Sequence, residues 1–257
     1  MPARESIIRN GIYKDIPLSV LYREYPELFG TEAPVFPLLI KLIDAESNLS
    51  VQVHNKNGRQ GISKNEAWLV LEADQESRIV LGARIETGKE LREIISRGKL
   101  PEYLNYIEVR VGDVFYVPAG TLHAIGKGTV VYEIQQPSDI TYRLFDYDNN
   151  RHLSIDAGCN AYDSKAEYGK VESRPLEDGN VLLLSSDFFM LEKITAQGEA
   201  LQKASDRFLV YTALGNGMII RGVDQMRYKR GDTFLIPAGY GEFRLQGGVL
   251  LKAYVTG

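Results

Sequence analysis

Apolar positions in the first 30 residues recur at helical spacing. Ile16, Leu18, Leu21, Tyr22, Tyr25 and Leu28 approximate one face of a helix, and Gly30 ends it. The period then changes. Phe36–Ile43 reads as a buried strand, and Leu49–His54 alternates with a period of two, so that Val51 and Val53 point one way and Gln52 and His54 the other. A helix is expected to open at Thr87, where a capping box with Glu90 precedes Leu91, Ile94 and Ile95; Gly98 and Pro101 close that region. From Ile107 onward the chain is short β runs punctuated by glycine and proline: IEVRVGDVFYVPAG, GTVVYEIQQ and ITYRLFDY.

One ten-residue unit occurs twice. VGDVFYVPAG at 111–120 returns as RGDTFLIPAG at 230–239, an offset of 119 residues, each copy a Gly-Asp turn, a short strand and a Pro-Ala-Gly turn. Two such units predict an all-β, mainly antiparallel chain of two jelly-roll barrels, with a few helices in the N-terminal half. The expected division is residues 1–160, with a helical insert at about 87–105, and residues 161–257. The polar, turn-rich stretch between 155 and 180 separates them.

Composition narrows the function. The chain has 257 residues, 44% of them hydrophobic, enough for a sizeable core. Apolar runs such as Phe36–Ile40 and Val181–Leu184 fall far short of the roughly 20 residues a bilayer span needs, and MPARESIIRN shows no secretory apolar region. A net charge of −4, with 30 scattered Lys and Arg, argues against nucleic acid but leaves room for a phosphorylated small molecule, which needs only a few local cations. The single cysteine, Cys159, makes no intramolecular disulfide and reads as an inert buried thiol, which points to a cytoplasmic location.

Two of the three histidines are where chemistry concentrates. Gln52 and His54 share one strand face, Glu66 follows His54 by twelve residues, and His123 closes the first Pro-Ala-Gly turn. A jelly-roll interior can bring such side chains to one point, and two imidazoles, a carboxylate and an amide oxygen suit a divalent transition metal. These ligand types fit a zinc Lewis acid or a non-haem iron centre equally. The second repeat has Glu242 where the first has His123, and no histidine follows, so any metal site belongs to the N-terminal barrel. Lys64 precedes Glu66 by two residues. Arg143, able to clasp an oxyanion with two parallel hydrogen bonds, follows His123 by twenty, with Glu133 and Asp139 between them; its ordinary alternative is an ion pair with Asp146 or Asp148.

The segments FPLLIKLIDAESNLSVQVH, SKNEAW, VGDVFYVPAGTLHAIGKGTVVYEIQQPSDITYRLFDYD and IPAGYGEF resemble the class I, cupin-type mannose-6-phosphate isomerases, from about Gly11 to the C-terminus. The resemblance implies a cupin fold and a zinc-dependent interconversion of mannose 6-phosphate and fructose 6-phosphate. It implies one zinc per chain, held by His54, Glu66 and His123 with Gln52 as fourth ligand. Arg143 matches the family's active-site arginine and Lys64 a pocket lysine. The chain departs from the family in lacking its Trp-Gly-Gly and Gly-Glu-x-Trp segments, in reading His54-Asn55 for His-Pro, and in reading Lys64-Asn65-Glu66 for Lys-Thr-Glu.

In such a reaction a proton moves between C1 and C2 through an enediol-like intermediate. Arg143 is expected to stabilise the developing charge or hold the phosphate, and Lys64 to hold a substrate hydroxyl or assist proton transfer. Glu133, Asp139 and Lys64 are candidates for the base, and Asp139 also for substrate binding. The expected partner is a hexose phosphate, with no nucleic acid and no membrane, in a monomer or homodimer. Two other functions fit the same residues: a sugar-phosphate-binding cupin that is non-catalytic or differently specific, and an iron-dependent redox cupin.

Overall fold

The computed structural model describes residues 5–56, 61, 63–147, 150–204 and 206–256. The chain forms two compact units, Leu38–Glu172 and a second made of Met1–Pro37 with Ser173–Gly257. The break after Glu172 falls inside the polar 155–180 stretch. The first 37 residues, however, group with the C-terminal part and not with the barrel that follows them, unlike the expected 1–160 division. Aromatic packing within the second unit accounts for this: Phe29 and Phe36 each lie against Phe208, with ring centroids 5.7 and 5.0 Å apart. The N-terminal helix is α1 (Leu18–Glu24); a separate 3-10 turn, Pro26–Leu28, follows it because Pro26 cannot extend the α-helix.

The Leu38–Glu172 unit contains β1 (Leu39–Ala45), β2 (Val51–Val53), β3 (Glu66–Ala73), β4 (Arg78–Ala83), β5 (Leu104–Glu108), β6 (Val114–Val117), β7 (His123–Ile125), β8 (Thr129–Gln135), β9 (Tyr142–Phe145) and β10 (Gly169–Val171). Its helices are α2 (Gly88–Ser96), α3 (Leu100–Tyr103) and α4 (Ile155–Ala161). Two five-stranded sheets form, in the orders β1-β8-β3-β6-β10 and β5-β4-β7-β2-β9, with antiparallel pairing. Thr87 caps α2 by accepting from the Glu90 amide, while Glu90 returns a bond to the Glu86 amide. Pro101 does not end the helical region; it sits in the first turn of α3, where its missing N–H costs nothing.

Both faces of the second sheet are covered, and this positions the chemistry. Val51, Val53, Val80, Ala124 and Leu144 pack on Leu91, Ile94 and Cys159 of the helices. By strand alternation, Gln52 and His123 then turn into the barrel. Inward positions change character along the strands. Ala45, Val70, Ile79, Ile125 and Val131 make an apolar half, whereas Lys41, Gln52, Glu66, His123, Glu133 and Gln135 occupy the other half.

The other unit carries β11 (Arg174–Pro175), β12 (Val181–Ser185), β13 (Phe189–Thr195), β14 (Glu199–Ala204), β15 (Leu209–Ala213), β16 (Gly217–Arg221), β17 (Asp224–Tyr228), β18 (Thr233–Ile236), β19 (Gly241–Gln246) and β20 (Val249–Val255). Its sheets run β11-β12-β13-β20-β15-β18 and β14-β19-β16-β17. The repeated motif is the same structure in both units. Asp113 and Asp232 accept from the amides of Arg110 and Lys229 at 3.0 and 2.9 Å, and the intervening Gly112 and Gly231 have φ of 93° and 89°, a conformation suited to glycine.

Candidate metal centre

His54, Glu66 and His123 converge at the polar end of the first barrel, their ligand atoms within 4.8 Å of one another and each residue about 1% exposed. The register explains the meeting: β2 pairs with β7 so that Gln52 lies opposite His123, and Glu66 begins β3. The Pro-Ala-Gly turn braces the rest. The Gly120 amide donates to the His54 carbonyl at 2.9 Å, and the Ala119 amide to the Asn65 side chain at 3.0 Å. Asn65, in the place of the family's threonine, also donates to Gln136 at 2.6 Å and so holds its neighbour Glu66 in position.

Both imidazoles have their Nδ1 against a backbone carbonyl, His54 at 3.0 Å from Ile140 and His123 at 2.9 Å from Thr121. Nδ1 is thereby held as a donor in each ring, and each Nε2 is turned inward. His54 Nε2 is 3.2 Å from Glu66 Oε1, and His123 Nε2 is 3.7 Å from Oε2. Neither Glu66 oxygen has a well-aligned hydrogen bond, although both are buried. Lys64 supplies charge, with Nζ 2.8 Å from Glu66 Oε1 and 3.1 Å from His54 Nε2. Burial alone would raise the Glu66 pKa. The neighbouring charges of His54 and Lys64 reverse that and hold it well below the usual carboxylate range. Burial and the neighbouring His54 charge push His123 down to about 3, keeping it neutral. The Gln52 amide nitrogen lies 3.1 Å from His123 Nε2, and turning the amide over would present its oxygen there instead. Inward imidazole nitrogens, an ionised carboxylate whose buried oxygens have no well-aligned hydrogen bond and an adjacent amide are the donor set a divalent metal takes.

The remaining expected residues are spread around this cage. Glu133 is buried inside the barrel, 3.0 Å from the Trp68 indole N–H and 2.7 Å from Lys41 Nζ. Burial, and then the charge of Glu66, raise its pKa. Arg143 lies opposite Gln52 on β9, but its guanidinium is directed to Ser50 Oγ at 3.0 Å, the His152 carbonyl at 3.2 Å and Asp146 at 3.8 Å. The ion pair with Asp146 is thus present; Asp148 lies outside the described residues. Asp146 is also clasped by Arg151. Asp139 is exposed, one residue before the Ile140 that orients His54. Cys159 is buried in α4, and burial raises its thiol pKa, so the thiolate form is disfavoured. Sequence reasoning missed Lys41. It bridges Glu133 and Gln135 from the facing strand β1, and the only signal for it was a lysine at a would-be inward position of an apolar strand.

A jelly-roll barrel that gathers two imidazoles and a carboxylate at its polar end defines a cupin with a donor set for a divalent metal. Comparison with known proteins narrows this further. Residues 1–77 match the model for the phosphomannose isomerase type I catalytic domain, and residues 181–253 match that for the mannose-6-phosphate isomerase cupin domain. The chain is 37% identical to mannose-6-phosphate isomerase ManA of Bacillus subtilis (strain 168), over 95% of this chain and 82% of that protein. It is 38% identical to a mannose-6-phosphate isomerase of Streptococcus mutans, over 92% and 79%. A crystal structure of the mannose 6-phosphate isomerase from Bacillus subtilis superposes with a TM-score of 0.90 at 31% identity, over 98% of this chain and 86% of that one. The chain belongs to the type I phosphomannose isomerase family and is an isomerase. Among the described residues, no helix is long and apolar enough to cross a membrane.

Proposed function

We propose that this chain interconverts mannose 6-phosphate and fructose 6-phosphate in the cytoplasm, using one zinc ion held by His54, Glu66, His123 and the Gln52 amide oxygen. The observation that carries the reading is the inward convergence of two imidazole nitrogens on a buried, ionised carboxylate without a well-aligned hydrogen bond, in a barrel of this family. Zinc bound there would supply Lewis-acid stabilisation of charge developing on the substrate oxygens.

The chain's own residues do the rest. The Lys64 ammonium, buried beside His54 and Glu66, is placed to donate to a substrate hydroxyl. Glu133 is an interior carboxyl outside the cage, and burial raises its pKa, which strengthens its carboxylate as a base; we assign that carboxylate the removal of the proton from one of C1 and C2 and, once protonated, its return to the other, with the Trp68 indole and Lys41 fixing its orientation. Arg143, on the barrel face of Gln52, would receive the phosphate or the oxyanion after exchanging its Ser50 and His152 contacts. Asp139, exposed beside Ile140, would bind substrate from the solvent side.

The test is conversion of mannose 6-phosphate by zinc-loaded protein. Turnover that vanishes with a chelator and returns with zinc is the expected result. Stoichiometric zinc without turnover would overturn the activity, and turnover indifferent to chelation would overturn the metal.

A further inference from the structure

The repeat allows the two barrels to be aligned position by position. Phe115 corresponds to Phe234. In the first barrel Trp68 lies opposite both Phe115 and Glu133, and in the second Tyr211 lies opposite both Phe234 and Lys252. Lys252 therefore occupies the position of Glu133. Its cross-strand partner Glu192 occupies that of Lys41. Two residues earlier on the strand, Leu209 stands where the first barrel has Glu66. The interior ion pair is kept with its charges exchanged, 2.7 Å between Lys41 and Glu133 and 2.9 Å between Lys252 and Glu192. The second barrel thus has a cation where the first has a carboxylate, and a leucine in place of a metal-binding oxygen.

A cavity of about 350 Å³ opens at this level, lined by Lys203, Asp206, Arg207, Leu209, Lys252 and Tyr254. Ligand sites typically start at about 300 Å³. The charge of Glu192 is already engaged in the wall. It is buried and accepts from Lys252, from the Tyr254 hydroxyl at 2.5 Å and from Asn180 at 3.4 Å. Lys203 and Arg207 then face the cavity as cations against the single carboxylate of Asp206, and Lys252, its charge matched by Glu192, offers its remaining N–H donors. Among the described residues, Lys203 and Arg207 form no ion pair. An arginine fork and a lysine ammonium, with a further N–H donor from Lys252, match a tetrahedral oxyanion better than any neutral ligand.

We propose that the mouth of the second barrel is an anion site, separate from the metal centre, which takes phosphate or the phosphate group of a small phosphorylated metabolite through Lys203, Arg207 and Lys252. Calorimetric titration of the whole, zinc-loaded protein with inorganic phosphate tests this. Three proteins are compared: the natural sequence, Lys203→Ala/Arg207→Ala, and Arg143→Ala. Both residues of the double variant are solvent-accessible, and matching unfolding curves would verify that it folds. The double variant should bind phosphate at least tenfold more weakly while converting mannose 6-phosphate at the natural rate, and Arg143→Ala should keep this binding. The proposal is overturned if the double variant binds phosphate like the natural sequence, if only Arg143→Ala loses binding, or if the natural sequence shows none up to about 10 mM, a free energy of under 3 kcal/mol. Absence of turnover in the natural sequence would sink the proposed activity and leave this comparison intact.

Discussion

Replacing Glu66 with glutamine removes a charge at nearly constant volume, which separates the electrostatic role of this residue from its packing. In the metal-free protein its carboxylate is the counterion of Lys64 at 2.8 Å, and both side chains are almost completely buried. Removing one member of a buried ion pair leaves an uncompensated charge and costs about 3–5 kcal/mol. The glutamine oxygen can still accept from Lys64, which puts the expected loss for Glu66→Gln near the lower figure. Replacing both partners, Glu66→Gln with Lys64→Met, removes the stranded charge and should recover most of that loss, a coupling of about 2 kcal/mol or more. Denaturant unfolding of chelator-treated protein measures both quantities, and metal analysis of the same variants after incubation with zinc shows whether retention falls when the proposed anionic donor is gone. A Glu66→Gln protein that unfolds at the natural denaturant midpoint would refute the ion-pair reasoning. One that retains zinc as tightly as the natural sequence would refute the ligand assignment, whatever its stability.

Further predictions concern backbone and pH. A Cβ on Gly30, at φ +60°, would lie 1.7 Å from the Asp206 carbonyl oxygen, whereas one on Gly112, at φ +93°, meets nothing within 4 Å. Gly112→Ala should therefore cost only the backbone strain, about 1 kcal/mol, and Gly30→Ala clearly more, both read from unfolding midpoints. Thr87→Ala removes the N-cap of α2 and should cost about 1 kcal/mol; an unchanged midpoint would show the cap to be dispensable. The hydrogen bonds from Arg151, together with the charges of Arg151 and Arg143, hold the Asp146 pKa below its ordinary value. Its contribution to stability is complete above the unfolded value of about 3.9 and is lost as pH falls through the lower folded value. Asp146→Asn should thus destabilise the protein at pH 7 and flatten the acid limb of its stability profile; parallel profiles for the two proteins would contradict this.

How much of this was legible in the sequence follows from what kind of interaction decides each feature. Local patterns identified the strand around Gln52, the Thr87 cap and the Gly-Asp turns, because alternation, capping and positive φ are set by residues within a few positions of one another. The duplicated ten-residue motif gave away the two-barrel architecture for the same reason. The residues His54, Glu66 and His123 could be named as candidates from their chemical types. Their separation within 4.8 Å came only from the pairing of β2 with β7 and the start of β3. Pairing across the sheets also decided what no local pattern contains. It turned Lys41 from an ordinary strand lysine into the partner of Glu133, aimed Arg143 at Ser50, exchanged the signs of the interior ion pair between barrels, and assigned the first 37 residues to the C-terminal unit. Those outcomes depend on which distant apolar surfaces bury one another, and sequence separation carries no record of that.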